Sequence, residues 1–304
     1  LYNPGETMSV DLTSSNGQPA YALKHPSGAS ALVYVYAAHL ASWIVDGEEQ
    51  IFVSSLAEYG DGKAIRGGVP ICWPQFAEKG PYKKHGFARN SDKWNVVRTA
   101  TEPYPTVVLG LKDDESTRDT YPFAFSLLYS LSLDSAASLS LSLTVRNPAA
   151  AGSDPLEFTT ALHTYFRVDN LAASRLVGLS GTSYVDNSLA GGGKEETQGD
   201  EPVAFEAEVD RVYGAAPAVA HLVDGKRAIK VLKMGFPDAV VWNIGEARAS
   251  GLTDLGAAEW KGYVCYEAAA INQPVKLAPN ASWTAGQTFT RMAATEVPSS
   301  ECKA

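Results

Sequence analysis

The sequence predicts an all-β fold, a sandwich or a barrel, on three observations. Apolar residues recur with period two: Leu127, Tyr129, Leu131 and Leu133 alternate mostly with serines, and Leu139, Leu141, Leu143 and Val145 resume the pattern. No 12-residue window carries a convincing helical stripe. The 26 glycines and 17 prolines punctuate strand-like runs along the whole chain.

Taken in order, residues 31–36 are β-branched and aromatic and read as a strand. Runs 41–45 and 50–53 flank the turn pair Asp46-Gly47, as in a hairpin. Runs 94–98 and 106–111 follow. The long hairpin 127–133/139–145 has one apolar face and one serine-lined face, which either meets solvent or packs on a second layer. Runs 156–166, 229–234, 239–244 and 263–269 complete the set. Gly191-Gly192-Gly193-Lys194 reads as a flexible loop, because Glu195 follows the lysine and Ser188 stands where a phosphate-binding loop needs glycine. No composition break marks a linker, so residues 1–304 are expected to form one domain, with a core over about 20–295.

Size and charge narrow the function classes. At 304 residues, 45% hydrophobic and 19% charged, the chain can bury a sizeable core. A net charge of −9 disfavours nucleic acid as a main partner. The longest uncharged stretch, 25–45, contains Pro26, Gly28, His39 and three serines, so no membrane span is expected. Cys72, Cys265 and Cys302 are too few for a disulfide framework, which suits a reducing compartment. The five histidines and three cysteines show no metal-ligand spacing, and no metal or other cofactor is expected. The chain begins at Leu1 rather than Met, which leaves room for a removed leader. Nothing present reads as a signal peptide.

Four features carry possible chemistry. Residues 63–93 hold seven cations (Lys63, Arg66, Lys79, Lys83, Lys84, Arg89, Lys93) against Glu78 and Asp92. A solvated face explains such a run blandly. However, Arg66 precedes Gly67-Gly68, and Arg89 lies close to His85-Gly86. Glycines permit close backbone approach, and arginine forks suit phosphate oxygens, so an anion pocket is the sharper reading. His163 sits in an apolar strand-like run, as a core histidine or as an acid–base group. Glu267 lies in Tyr263-Val264-Cys265-Tyr266-Glu267-Ala268-Ala269-Ala270, where an isolated buried charge would be costly. It either faces water or serves as a base with a raised pKa. Asp210 either pairs with Arg211 on the surface or faces a ligand.

These segments together resemble the hexose-6-phosphate mutarotases (glucose-6-phosphate 1-epimerases) of the aldose 1-epimerase superfamily. Plant members of that family are often labelled apospory-associated protein C-like. The resemblance rests on Ile65-Arg66-Gly67-Gly68-Val69-Pro70, Trp73-Pro74-Gln75-Phe76 and His85-Gly86-Phe87-Ala88-Arg89-Asn90. It continues in Leu162-His163-Thr164-Tyr165-Phe166, Asp210-Arg211-Val212-Tyr213, Val241-Trp242-Asn243 and Val264-Cys265-Tyr266-Glu267. The motifs run in family order over residues 31–290.

The resemblance implies a galactose-mutarotase-like β-sandwich (supersandwich) with substrate on a concave sheet, and interconversion of the α and β anomers of a hexose 6-phosphate. It implies that His163 and Glu267 are catalytic and that Asp210 binds substrate. It places Arg66 and Arg89 on the sugar phosphate, with Gln75 and His85 lining the pocket. Two departures stand out. Lys84 replaces the glutamine common before His-Gly, as a further phosphate contact or a solvent-facing ammonium. Ile244-Gly245 follows Trp242-Asn243 where proline is expected. A small-molecule sugar phosphate is the expected partner, the chain is expected to be a monomer, and the cytoplasm is the expected compartment, with a plastid as the alternative. A non-catalytic carbohydrate-binding or structural sandwich, an epimerase of neutral aldoses and a glycoside hydrolase are the rival readings. The hydrolase fits least, because the pair is His plus Glu rather than two carboxylates.

Overall fold

A computed structural model describes residues 7–298, so Cys302 lies outside the described residues. The described strands form three antiparallel sheets. The five-stranded sheet runs in chain order through Ser9–Ser15, Gln18–Lys24, Ser30–Tyr34, His39–Val45 and Glu48–Glu49. The nine-stranded sheet has Ser282–Ala293 near its centre, between Arg227–Met234 and Ser138–Arg146. Beyond Ser138–Arg146 lie Ser126–Ser135, Thr106–Lys112 and Asn95–Ala100. In the eight-stranded sheet, Tyr263–Leu277 pairs with Asp238–Asn243 on one side. On the other it pairs with Leu156–Leu162 and Tyr165–Arg167.

The long hairpin forms with Leu131 opposite Leu141, Tyr129 opposite Leu143 and Leu127 opposite Val145. These side chains are fully or almost fully buried, as their alternation requires. The serine face is partly exposed and knitted by cross-strand hydroxyls: Ser138 with Thr290, Ser140 with Thr288 and Thr144 with Thr284. One buried apolar cluster draws on all three sheets. Phe289 joins them, with its ring 5.9 Å from Trp43 and 4.9 Å from Phe166.

Several sequence expectations are corrected. The Asp46-Gly47 turn forms, with positive φ at both residues, but its return strand is only Glu48–Glu49. The Glu49 carboxylate takes the backbone N–H groups of Trp43 and Ile51, so a side chain replaces the ladder there. Residues 50–53 instead make isolated bridges, Ile51 to Phe166 and Val53 to Gly67, and couple two sheets. The run 156–166 is interrupted at His163-Thr164. Two short helices escape the sequence pattern. Glu115–Thr120 is capped reciprocally by Asp114 and Thr117, and Gly245–Ala249 begins at the glycine found where proline was expected. Six and five residues are too few to display a stripe.

Leu141→Ala is expected to destabilise the protein by about 2–5 kcal/mol, because it empties a filled inter-sheet position. Ser142→Ala, on the opposite face of the same strand, should cost less than about 1 kcal/mol. Urea denaturation midpoints check the contrast, and equal costs would contradict the assignment of faces.

Candidate active site

The outer face of the eight-stranded sheet gathers most of the predicted site residues, and strand register explains why. Val240 lies opposite Glu267, and Trp242 opposite Cys265. Asp210 lies opposite Trp242. On the other flank, Leu162 faces Ala268 and Tyr165 faces Cys265, which brings His163 level with Glu267. At the interruption, His163 N–H bonds the Pro70 carbonyl (3.0 Å). The Thr164 hydroxyl turns inward and accepts from Gln287 of the nine-stranded sheet at 2.8 Å. Consecutive side chains point to opposite faces, so an inward Thr164 leaves His163 outward.

His163 Nδ1 stands 3.4 Å from Glu267 Oε1. Neither His163 Nδ1 nor Glu267 Oε2 has a hydrogen-bond partner among the described residues, although Glu267 is 1% exposed. Burial, reinforced by the Asp210 charge, raises the Glu267 pKa well above the usual carboxylate value. Burial also lowers the His163 pKa well below 6.5, with help from His85, Arg89 and Arg66. Both shifts favour neutral forms, so the pair holds one proton between its two members. Aromatic rings fix the imidazole. Tyr165 stacks on it at 4.8 Å and 8°, and Trp242 meets it edge-on at 5.6 Å.

His85 lies beside this pair, ring to ring 5.7 Å from His163. Its Nδ1 accepts the Ala77 N–H at 3.2 Å and lies 3.2 Å from Cys72 Sγ. A neutral His85 therefore carries its proton on Nε2. Burial first, then Arg89, Lys84 and Arg66, lower its pKa to about 3. The turn before Phe87 needs glycine: Gly86 has φ +67°, and a Cβ there would come 2.0 Å from the Trp73 carbonyl oxygen. Gly68 is equally constrained, because a Cβ would approach His39 Nε2 to 2.0 Å.

Asp210 is half-buried, and burial, then Glu208, raises its pKa to about 6. Its neighbour Arg211 engages Asp186 (3.7 Å), Gln198 and the Tyr184 ring. Arg66 reaches Asp254 through Nε (3.2 Å) and Nη2 (3.1 Å), and Tyr165 Oη through Nη1 (3.4 Å). Arg89 donates to the Lys84 carbonyl at 3.3 Å. Lys84 is exposed, with Nζ 3.8 Å from Glu78. Gln75 is 2% exposed, and its amide is committed to the neighbouring loop. It donates to the carbonyls of Ala77 and Tyr82 (both 3.0 Å) and accepts from Tyr82 N–H (2.9 Å). Gln75 thus braces the loop that carries Lys83, Lys84 and His85. A cavity of about 560 Å³ lined by Leu176, Ser180, Gln198, Asp200 and Val219 contains none of the predicted site residues.

With this geometry established, the relatives can be set beside it. A family model described as Aldose 1-epimerase matches residues 19–290. The chain belongs to the aldose 1-epimerase family. A Cenchrus ciliaris protein named "Putative glucose-6-phosphate 1-epimerase" is 36% identical over 94% of this chain and 87% of its own length. An Escherichia coli K12 protein of the same name is 31% identical over 79% of each chain. The crystal structure of a "putative mutarotase (YeaD)" from Salmonella typhimurium superposes with a TM-score of 0.83 at 26% identity, covering 93% of this chain and 94% of that one. The galactose-mutarotase-like fold follows from this likeness and from the antiparallel sheets.

Three residues that contact the predicted ones had no role in the sequence reading. Tyr165 was legible, because it lies two residues from His163 and alternation puts it on the same face. Trp242 needed the pairing of two strands, and Asp254 needed a contact 188 positions from Arg66.

Burial disfavours the charged imidazolium, so His163 should stay neutral as pH falls through 6.5. In ¹H–¹³C spectra of the free protein, its Cε1 resonance should keep the neutral-imidazole position from pH 8 to 6. A titration midpoint near 6.5 would refute the buried, neutral state.

Proposed function

We propose that this protein interconverts the α and β anomers of a hexose 6-phosphate, glucose 6-phosphate above all, by general acid–base opening and closing of the pyranose ring. The observation that carries the reading is the facing of His163 and Glu267, 3.4 Å apart, beside the cationic Arg66–Arg89 segment of an acidic chain. Family membership and the names of the relatives support the same chemistry.

Glu267 takes the proton of the C1 hydroxyl as C1=O1 forms. The C1–O5 bond breaks, its electron pair goes to O5, and His163 protonates O5. The aldehyde rotates about C1–C2, and the pair runs in reverse to close the opposite anomer. The reactive form places the pair's proton on His163 and leaves Glu267 ionised. Opening returns both groups to the neutral forms that burial favours. Each general acid or base contributes about 10²- to 10⁴-fold.

His85 offers Nε2–H to a sugar oxygen, and Asp210 accepts from hydroxyls. Arg66 and Arg89 hold the phosphate, with Lys84 adding charge at the rim, so that binding energy remote from C1 aligns the reacting bond. Trp242, half-buried, presents ring surface to the apolar face of the sugar, and Tyr165, almost fully buried, backs the His163 ring. We read the chain as one monomeric domain, supported by an apolar core shared by all three sheets and a family match spanning residues 19–290. A cytoplasmic place, with a plastid as the alternative, remains the compartment reading. No described helix is long and apolar enough to cross a membrane.

Glu267→Gln preserves shape and removes the base. Anomer exchange of glucose 6-phosphate, followed by NMR saturation transfer, should fall to the spontaneous rate. Undiminished exchange would end the base assignment, and a wild type that exchanges only at the spontaneous rate would favour a non-catalytic sugar-binding sandwich. Arg66→Ala should lose far more exchange on glucose 6-phosphate than on free glucose. Equal losses would favour an epimerase of neutral aldoses.

A further inference from the structure

Arg66 is held at both ends by one segment of chain. Its backbone carbonyl accepts the Ser54 N–H at 3.0 Å. Ser54 and Ser55 are tied in turn to Glu259. That carboxylate accepts from Ser54 Oγ (2.6 Å), Ser55 N–H (3.0 Å) and Gly256 N–H (2.9 Å). Leu255, 3% exposed, anchors the same segment in the core. Asp254 directly precedes these anchors; its Oδ2 accepts from Arg66 Nε (3.2 Å) and lies 3.1 Å from Nη2.

A guanidinium presents its donors along fixed edges. Asp254 occupies the Nε/Nη2 edge. The Nη1/Nη2 edge remains for a second anion, and Tyr165 Oη steadies Nη1. The Tyr165 ring lies flat on His163, so the contacts run Asp254, Arg66, Tyr165, His163. The Arg66 and Asp254 side chains are 23% and 21% exposed, which distinguishes this pair from the fully solvated ion pairs that contribute little.

We propose that Asp254 is a positioning residue that sets the site's preference for phosphorylated over free sugar, by aiming the open edge of Arg66 at the phosphate. The proposal rests on the hexose-phosphate reading above. Two effects oppose each other at this carboxylate. Its charge repels an incoming phosphate. Its grip fixes a long side chain that phosphate would otherwise have to order, and such preorganisation strengthens binding. The Nε hydrogen bond and the Nη2 ion-pair contact to one oxygen, backed by the Glu259 anchor, favour the grip over the repulsion.

Anomer exchange on glucose 6-phosphate and on glucose, together with inhibition by inorganic phosphate, tests this in wild type, D254A, D254N and R66A. D254A is expected to raise KM for glucose 6-phosphate at least ten-fold while kcat changes less than three-fold. Inhibition by inorganic phosphate should weaken by a similar factor, and the loss should be at least five-fold greater on the phosphorylated sugar. D254N keeps an acceptor oxygen without the charge and should recover most of the KM. A KM below wild type in D254A and D254N would show that repulsion dominates, and would overturn the proposal. Equal losses on both sugars in both variants would overturn it too. R66A separates the two readings. If R66A keeps wild-type KM and phosphate inhibition, the anion pocket is misplaced and both readings fail. If R66A loses them and D254A does not, only the role of Asp254 fails.

Discussion

Glu267 and His163 are buried opposite each other without an aligned hydrogen bond, and one Glu267 oxygen has no partner among the described residues. Leaving a buried acceptor unpaired costs about 1–3 kcal/mol, and a buried charge costs more. The surrounding sheet must therefore hold the pair where it would not collect by itself. Strand register fixes Glu267, opposite Val240 on one side and next to the Leu162–Ala268 pair on the other, and a one-residue slip would send it into the core. The break at His163-Thr164 belongs to the same arrangement. It gives up ladder bonds, recovers one at Pro70, and locks Thr164 to Gln287 in the opposite sheet.

The nine-stranded sheet supports this face from behind. Its inward leucines, tyrosines and Phe289 pack against the inner side chains of the eight-stranded sheet and leave that sheet little freedom to bend. The serine and threonine hydroxyls on its far side bond across strands, which satisfies polar groups without adding apolar surface. Beyond the five-stranded sheet the chain reaches the site through Ile51, which bridges Phe166, and Val53, whose bridge to Gly67 seats the Arg66-Gly67-Gly68 turn. Close approach there depends on the missing Cβ of Gly68 over His39.

Charge is unevenly divided over the candidate site. His39, His85 and His163 all have pKa values lowered chiefly by burial, so cationic character in this region comes from arginine and lysine. Carboxylates temper those cations: Asp254 at Arg66 and Glu78 near Lys84. Gln75 spends its amide on the loop bearing Lys83, Lys84 and His85, and shapes the rim from beneath.

Much was legible before any coordinates. Period-two alternation identified the long hairpin and most of the central strands, because a half-buried pleat writes its faces directly into residue order. The cationic run, His163 and Glu267 stood out by chemical type. Short pieces were illegible: the six-residue helix after Asp114, the return strand Glu48–Glu49 and the break at His163 lie below the length at which periodicity speaks. The sequence by itself thus determined the strand class and singled out the candidate side chains, which are local properties. Only the tertiary structure decided that Asp254 meets Arg66, that Gln75 faces its loop, and that His163 stands level with Glu267. Those facts depend on which strands pair and in what register, and pairing is set by contacts between residues far apart in the chain.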